Sequence, residues 1–219
     1  MLKRNFLICF TGVDGSGKTA HAISLMRYLK QNGYNCKYVW CGHRPFVSYP
    51  FFGLTKLAGY WKRTKKNTFT DPLEYAPRET KKKLAKILCL LFFIDFLSLA
   101  FFKIGLPLIF GKNIICDRYI YDLIMELKRN NLISEKFSYK LRKLLPNPTV
   151  IFLMDAPETL ASERRGFTSI DLLSKRRIYV EMGKVFNFVI IDSSKDFLSN
   201  HILICNIVLS RISTSNVEI

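Results

Sequence analysis

One short segment near the start of the chain restricts the possible folds more than any other feature. Gly12-Val13-Asp14-Gly15-Ser16-Gly17-Lys18-Thr19 matches the pattern G-x-x-x-x-G-K-[ST]. The apolar run 6–10 precedes it and the helical stretch 20–29 follows it, so it joins a predicted strand to a predicted helix. We therefore predict an α/β fold in which this segment forms a loop at the carboxyl edge of a sheet.

The residue types in this loop suit a bound phosphate chain. Glycines let the backbone curl so that several N–H groups face one anion, and the start of the following helix adds its unpaired N–H groups. Lys18 can bridge the β- and γ-phosphates of a nucleotide, and Thr19 can ligate Mg²⁺. The segment therefore predicts binding of ATP and Mg²⁺, with an ordinary glycine-rich turn as the alternative.

The rest of the chain alternates strands and helices. Near-continuous apolar runs predict buried strands of a parallel sheet at residues 6–11, 36–40, 113–116, 149–154 and 188–191. Helical patterns lie at residues 19–31, 80–103, 121–127, 135–144, 157–165 and 172–186. Together with the phosphate loop, they predict a P-loop NTPase fold, a five-stranded parallel sheet sandwiched by helices. We expect a single domain over residues 1–219, in which the basic, aromatic stretch 42–77 forms loops.

The net charge indicates which partners are favoured, and the cysteines indicate the cellular compartment. The formal net charge is +17, which favours anionic partners: nucleotides, nucleic acid or an acidic membrane face. Ten of the basic residues fall between Lys56 and Lys86, where a solvated face is the simpler interpretation and nucleic-acid or membrane contact the alternative. The six cysteines form no C-x-x-C pair, and the first apolar run is too short for a signal peptide. We predict a cytoplasmic protein with reduced cysteines.

A long apolar stretch, residues 87–110, admits two interpretations. Its length approaches that of a membrane span, but Asp95 lies within it and Ser98 and Lys103 follow. A central Asp costs about 2.5–3.5 kcal/mol on membrane insertion. We therefore predict a long helix buried in the core, with Asp95 facing a polar site.

Three predicted strands end in aspartate. Asp117-Arg118-Tyr119 ends the third strand. Asp117 can there hold Mg²⁺ through water or orient an acceptor. Arg118 can donate two hydrogen bonds to a phosphate. A helix cap with a surface arginine is the alternative. Asp155 and Asp192 end the fourth and fifth strands, and we predict that both are caps or turn residues.

A second group of basic residues lies between residues 164 and 177. Arg164 and Arg165 precede the segment 166–169, and Lys175-Arg176-Arg177 follow it. Phosphoryl transfer needs positive charge near the transferred group, and an arginine on a closing loop supplies it. We predict a mobile lid over residues 164–177 with Arg164 as a catalytic group, an ordinary basic helical hairpin being the alternative.

The order of these motifs resembles that of the thymidylate kinase family, in particular its divergent branch, over nearly the whole chain. The acidic loop residue Asp14 is followed by a Leu-Phe-x-x-Asp helix ending at Asp95 and then by Asp117-Arg118-Tyr119. Asp155-Ala-Pro-Glu158 with Arg164, and the pair Arg176 and Tyr179, complete the pattern.

This resemblance implies an enzyme that phosphorylates a nucleoside monophosphate, most directly dTMP to dTDP, with ATP and Mg²⁺. It implies that Asp14 approaches the acceptor sugar, that Arg118 holds the acceptor phosphate, and that the backbone after Asp192 lies near the adenine. Ser16 in the phosphate loop implies that the catalytic arginine comes from the lid, with Lys18 and Arg118 as its partners. Asp95, Asp117 and Tyr119 belong to the implied acceptor site, and a homodimer packed through helices is expected.

Three departures from the family pattern affect the acceptor. The family's Arg-Glu-Pro-Gly element is present only as His43-Arg44-Pro45, from which Arg44 can still reach an acceptor phosphate. Phe96 stands where the family usually has an arginine that helps read the base and phosphate, and the lid is short. A kinase with another acceptor, such as a deoxynucleoside, and a nucleotide-dependent protein that binds nucleic acid or membrane therefore remain alternatives.

Overall fold

The sheet of this protein has five parallel strands. The structure is a computed structural model that describes residues 5–42, 46–60, 75–130, 132–165 and 169–214. The strands are β1 (Leu7–Thr11), β2 (Cys36–Trp40), β3 (Asn113–Asp117), β4 (Val150–Asp155) and β5 (Val189–Asp192). Their order is β2-β3-β1-β4-β5 and every pairing is parallel. The predicted sheet and its five strands are confirmed.

Nine α-helices lie in the described part of the chain. They are α1 (Lys18–Gln31), α2 (Tyr49–Leu57), α3 (Arg78–Ala100), α4 (Leu106–Ile109), α5 (Ile120–Arg129), α6 (Glu135–Lys143), α7 (Glu158–Arg165), α8 (Ser169–Phe186) and α9 (Phe197–Thr214). A π-helical turn, Phe101–Gly105, joins α3 to α4.

Helices cover both faces of the sheet. On one face, Leu25 of α1 and Ile204 of α9 pack in one cluster with Ile8, Phe10 and Phe152 of the central strands. Side chains alternate along a strand, so the neighbours Cys9 and Leu153 face the other way. There α5 packs against α8, and α8 packs against β4. The phosphate loop after β1 is therefore held by a strand that is buried on both faces.

Two helices differ from the sequence predictions. The stretch 42–77 was expected to form loops, but residues 49–57 of it form α2; residues 43–45 and 61–74 lie outside the described residues. The prediction of loops is therefore wrong for α2. The other is α9, which the helical patterns did not include.

The chain divides into two compact units, Met1–Gly42 with Ala100–Ile219, and His43–Leu99. The first contains the whole sheet. In the second, α2 and α3 pack through the rings of Phe52 and Phe92, whose centroids are 5.9 Å apart. That the chain works as one kinase domain remains a prediction.

Helix α3 is buried on only one face. Leu88, Phe93 and Phe96 are buried, whereas Ile87 and Leu90 are 47% and 57% exposed. The predicted helix is confirmed, and the prediction that it is buried in the core holds for one of its faces. The helical stretch Arg78–Ile109 is long and apolar enough to cross a membrane by length and composition, a test that core helices of soluble proteins also pass.

Candidate active site

The phosphate loop takes a backbone path that two glycines make possible. Gly12 has a φ of 136°, and a Cβ at this position would lie 2.5 Å from the carbonyl oxygen of Met154 on β4. Gly17, directly before α1, has a φ of 86°. Residues with a side chain rarely adopt either backbone conformation. The loop can therefore curl closely against the end of the sheet only because glycine occupies these positions. This is the concave backbone that the sequence predicted.

Lys18 lies folded over this loop. Its Nζ donates hydrogen bonds to the carbonyl oxygen of Val13 at 2.5 Å and to Oγ of Ser16 at 3.4 Å. Burial, and next the positive charge of Arg118, lower the pKa of Lys18 to about 8, although nearby carboxylates act in the opposite direction. The ammonium is thus held by neutral acceptors, which an anionic phosphate can replace.

Asp117 is the centre of a second group of side chains. Its Oδ2 accepts hydrogen bonds from Oγ1 of Thr19 at 2.5 Å and from the hydroxyl of Tyr38 at 3.0 Å. Its Oδ1 is buried and has no hydrogen-bond partner within the described residues. The hydroxyl of Thr19 and the carboxylate oxygen Oδ1 of Asp117, which has no partner within the described residues, are oxygen ligands of the kind that Mg²⁺ prefers. Thr19 and Asp117, the predicted metal residues, are thus brought together.

Arg118 lies between two carboxylates. Its backbone has a φ of 68°, in the left-handed region, and its N–H donates to the carbonyl oxygen of Phe10 at 2.9 Å. The guanidinium donates through Nη2 to Asp14 and through Nη1 to Oδ1 of Asp122, the latter at 3.0 Å. Burial would lower the pKa of Arg118, but these two carboxylates outweigh it and raise the pKa. Arg118 and Asp14, predicted from the sequence, therefore meet.

Asp122 is a site residue that the sequence analysis missed. Its carboxylate accepts hydrogen bonds from Thr11, Arg118, Tyr179 and the backbone N–H of Tyr119, all at 2.9–3.0 Å. Tyr119-x-x-Asp122 does not match the usual capping-box pattern, in which Ser or Thr is followed three residues later by Glu or Gln, so the sequence contained no clear signal for this role.

Tyr119 is buried. It is 1% exposed, caps α5 and donates its hydroxyl to the carbonyl oxygen of Pro146 at 3.0 Å. The predicted contact between Tyr119 and a substrate remains a prediction.

Arg176 links the end of β4 to α7 and α8. Its Nε and Nη2 donate to the two carboxylate oxygens of Asp155 at 2.6 and 2.8 Å, and its Nη1 donates to Glu158 at 2.9 Å. Asp155 is thus the partner of an arginine rather than a helix cap. The predicted lid residues 166–168 and the side chain of Arg164 lie outside the described residues, so the lid remains a prediction.

Asp192 forms a turn at the end of β5, as predicted. Its Oδ1 accepts from the N–H and the hydroxyl of Ser194 at 3.0 and 2.6 Å. Asn200 of α9 donates to its carbonyl oxygen at 2.8 Å, which fixes the backbone at this point. That this backbone lies near an adenine remains a prediction.

The remaining predicted acceptor residues belong to the second unit. Asp95 accepts hydrogen bonds from the backbone N–H groups of residues 46–48 and from the hydroxyl of Ser48, so its carboxylate holds the start of α2. Burial would raise its pKa, but these hydrogen bonds outweigh it and lower the pKa. Phe96 is 2% exposed, and Arg44 lies outside the described residues. The polar surroundings predicted for Asp95 are present; a substrate contact remains a prediction.

Comparisons with known proteins agree with the fold. No family model matches the chain. It is 23% identical to a probable thymidylate kinase of Methanocaldococcus jannaschii, covering 87% of this chain and 88% of that protein. It is 27% identical to a probable thymidylate kinase of Sulfurisphaera tokodaii, covering 85% and 86%.

A solved structure extends this relationship to the fold. The thymidylate kinase of Ehrlichia chaffeensis aligns with a TM-score of 0.58 at 19% identity, covering 93% of this chain and 98% of that one. The predicted P-loop NTPase fold is confirmed, and the predicted enzyme class, nucleoside monophosphate kinase, is that of these relatives. Over most of its length the chain is therefore similar to two proteins named probable thymidylate kinase and, in fold, to a solved thymidylate kinase.

Proposed function

We propose that this protein transfers the γ-phosphoryl group of ATP to a nucleoside monophosphate, with dTMP as the acceptor. The observation that carries the proposal is the meeting of three groups beyond β1 and β3: Lys18 over the phosphate loop, Thr19 with Asp117, and Arg118 with Asp14. The names of the two curated relatives support thymidylate as the acceptor.

On the donor side, the chain supplies positive charge and backbone N–H groups. The loop and the first turn of α1 present N–H groups to the phosphates, and Lys18 exchanges its bond to Val13 for a phosphate oxygen. Thr19 and Asp117 would hold Mg²⁺, which neutralises charge on the β- and γ-phosphates when bound. Tyr38 keeps Oδ2 of Asp117 in place.

On the acceptor side, Arg118 is the group that binds the phosphate. Its guanidinium fork suits an acceptor phosphate, and Asp14 is then released to accept a hydrogen bond from the sugar. Both residues follow strands β1 and β3, so the acceptor would approach the γ-phosphate in the loop. Arg164 on the predicted lid would add positive charge to the transferred group.

An acceptor panel tests this proposal. The protein is incubated with ATP and Mg²⁺ and with dTMP, dUMP, dCMP, dAMP, dGMP or thymidine, and ADP release and the phosphorylated product are measured. We expect ADP release stimulated by dTMP with dTDP as product, and loss of this turnover in Lys18→Ala. ADP release that no monophosphate stimulates would overturn the proposal.

Phe96 favours a second candidate, a kinase with a different acceptor. It is an apolar, buried side chain where the family usually has an arginine, which removes a charged contact that is typically worth about 1.5–3 kcal/mol. Phosphorylation of thymidine, but not of dTMP, in the panel would favour this candidate. Tight binding of DNA or anionic vesicles without any acceptor stimulation would favour a binding protein instead.

A further inference from the structure

We propose that Asp122 is a positioning residue that fixes the guanidinium of Arg118 for the acceptor and ties it to helix α8. This inference rests on the proposed function and assigns a role to a carboxylate outside the phosphate loop. Asp122 is 9% exposed and lies in the first turn of α5.

Helix capping accounts for only part of the contacts of Asp122. The capping box of α5 uses Oδ2, which accepts from the N–H of Tyr119 at 3.0 Å. The other oxygen, Oδ1, accepts from Nη1 of Arg118 at 3.0 Å and from the hydroxyl of Tyr179 at 2.9 Å. Capping of α5 requires neither of these bonds, so Oδ1 is available to hold the guanidinium of Arg118.

The two carboxylates around Arg118 differ in exposure. The side chain of Asp14 is 35% exposed, whereas that of Asp122 is 10% exposed. An incoming phosphate therefore replaces Asp14 at Nη2 more readily than it replaces Asp122 at Nη1. Asp122 holds one arm of the guanidinium while the other arm becomes available to the acceptor.

Asp122 also joins Arg118 to two other parts of the first unit. Oγ1 of Thr11, the last residue of β1 before the phosphate loop, donates to Oδ2 at 3.0 Å. Tyr179 belongs to α8, which begins directly after residues 166–168 of the predicted lid. A displacement of α8 would thus change the hydrogen bonding of Oδ1 and the position of Arg118.

Asp122→Asn is the most direct test, because an amide nitrogen at this position would face donors and could not accept their hydrogen bonds. We expect kcat/KM for the acceptor to fall roughly 10- to 100-fold while KM for ATP stays within about 2-fold. Tyr179→Phe removes one donor from the same oxygen and should give a smaller loss with the same pattern.

Asp196→Asn is the matched control. Asp196 accepts a hydrogen bond from the N–H of Ser199 at the start of α9, so the same chemical change is made at another helix start. We expect its acceptor kinetics to equal those of the unchanged protein. An Asp122→Asn variant whose KM for ATP and KM for acceptor change equally, or not at all, would overturn the positioning role.

A measurement without turnover separates this inference from the proposed function. In NMR spectra of the ligand-free protein, the guanidinium of Arg118 should show hindered rotation. Asp122→Asn and Tyr179→Phe should make this rotation faster. Equal rotation in all three proteins would contradict the positioning role even if the enzyme is active. If the protein is inactive but the two substitutions make the guanidinium of Arg118 rotate faster, the proposed function is refuted and the positioning role is kept.

Discussion

Lys18 is a charged residue whose pKa is lowered by its surroundings. Burial lowers its pKa to about 8, so the free enzyme loses this positive charge at a lower pH than an ordinary lysine would. We expect kcat/KM for ATP to fall as the pH rises through about 8, because the deprotonated amine no longer attracts the phosphates. Steady-state kinetics between about pH 7 and pH 10 measure this. The guanidinium of Lys18→Arg stays charged, so the remaining activity of this variant should not fall as the pH rises through about 8. A fall at the same pH in Lys18→Arg would rule out Lys18 as its source.

Tyr38 stabilises the carboxylate that would hold Mg²⁺. Its hydroxyl donates to the same oxygen of Asp117 that accepts from Thr19. We expect Tyr38→Phe to raise the Mg²⁺ concentration needed for half-maximal activity by roughly 10-fold, since the loss of such an outer partner weakens metal binding. Titration with Mg²⁺ at fixed ATP is the measurement, and Tyr139→Phe on α6 removes a hydroxyl elsewhere as the control. Equal Mg²⁺ requirements in the two variants would contradict this role.

At this scale the sequence predicted the residues that lie in a local motif and missed those that depend on strand register. Lys18, Thr19, Asp117 and Arg118 stand in short patterns whose chemistry is known. Tyr38 lies in an apolar run, and its contact with Asp117 arises because β2 pairs with β3. Such a contact cannot be predicted until the order of the strands is known.

Among the elements, the junction of β4, α7 and α8 depends on one side chain. Arg176 makes three hydrogen bonds to Asp155 and Glu158. Its neighbour Arg177 is 83% exposed and, among the residues that the structure describes, pairs only with Glu181 on its own helix. We expect Arg176→Ala to lower the free energy of unfolding by about 1–3 kcal/mol, because it leaves two carboxylates without their partner. Arg177→Ala should change it by less than about 0.5 kcal/mol.

Urea denaturation of the two variants measures this difference. Turnover with saturating substrates adds a second readout. The predicted lid, residues 164–177, includes the end of α7 and the start of α8, so Arg176→Ala should slow turnover. If both substitutions shifted the urea midpoint equally, the junction would not depend on Arg176.

Helix α2 shows why one element escaped prediction. Its sequence contains Pro50 and Gly53, which disfavour helices, and aromatic residues that suited a loop. The helix forms because Pro50 lies in the first turn, where it is tolerated, and because Asp95 of α3 accepts the N–H groups that precede it. Tertiary contacts thus outweigh local propensity. In α9 the signal was present, since Asn200, Ile204, Val208 and Ile212 are buried at helical spacing.

At the scale of the whole molecule, the packing of α1 against α9 contains two histidines, of which His21 is buried and His201 is half-buried. The ring of His21 stacks on Phe197 with centroids 4.2 Å apart, and His201 stacks on the same ring at 5.9 Å. Nδ1 of each histidine is buried and has no hydrogen-bond partner within the described residues. Burial, and then the neighbouring His201, lower the pKa of His21 to about 4; burial also lowers the pKa of His201.

This pair makes the stability of the fold depend on pH above the range in which carboxylates titrate. In the unfolded chain a histidine takes up a proton near pH 6.5, whereas folded His21 resists protonation down to about pH 4. The stabilisation is complete above about pH 6.5 and is lost progressively as the pH falls towards 4, because the unfolded state then binds more protons.

We expect the free energy of unfolding to fall by about 1–3 kcal/mol between about pH 7 and pH 4.5. Urea denaturation at several pH values measures the slope, and His21→Leu with His201→Leu should flatten it even if the double variant is less stable at every pH. The lowered pKa values of Asp95 and Glu158 act in the same direction, but most of their effect falls below about pH 4.5, so they contribute little to this window. An unchanged slope in the double variant would show that the pH dependence arises outside the contact between α1 and α9.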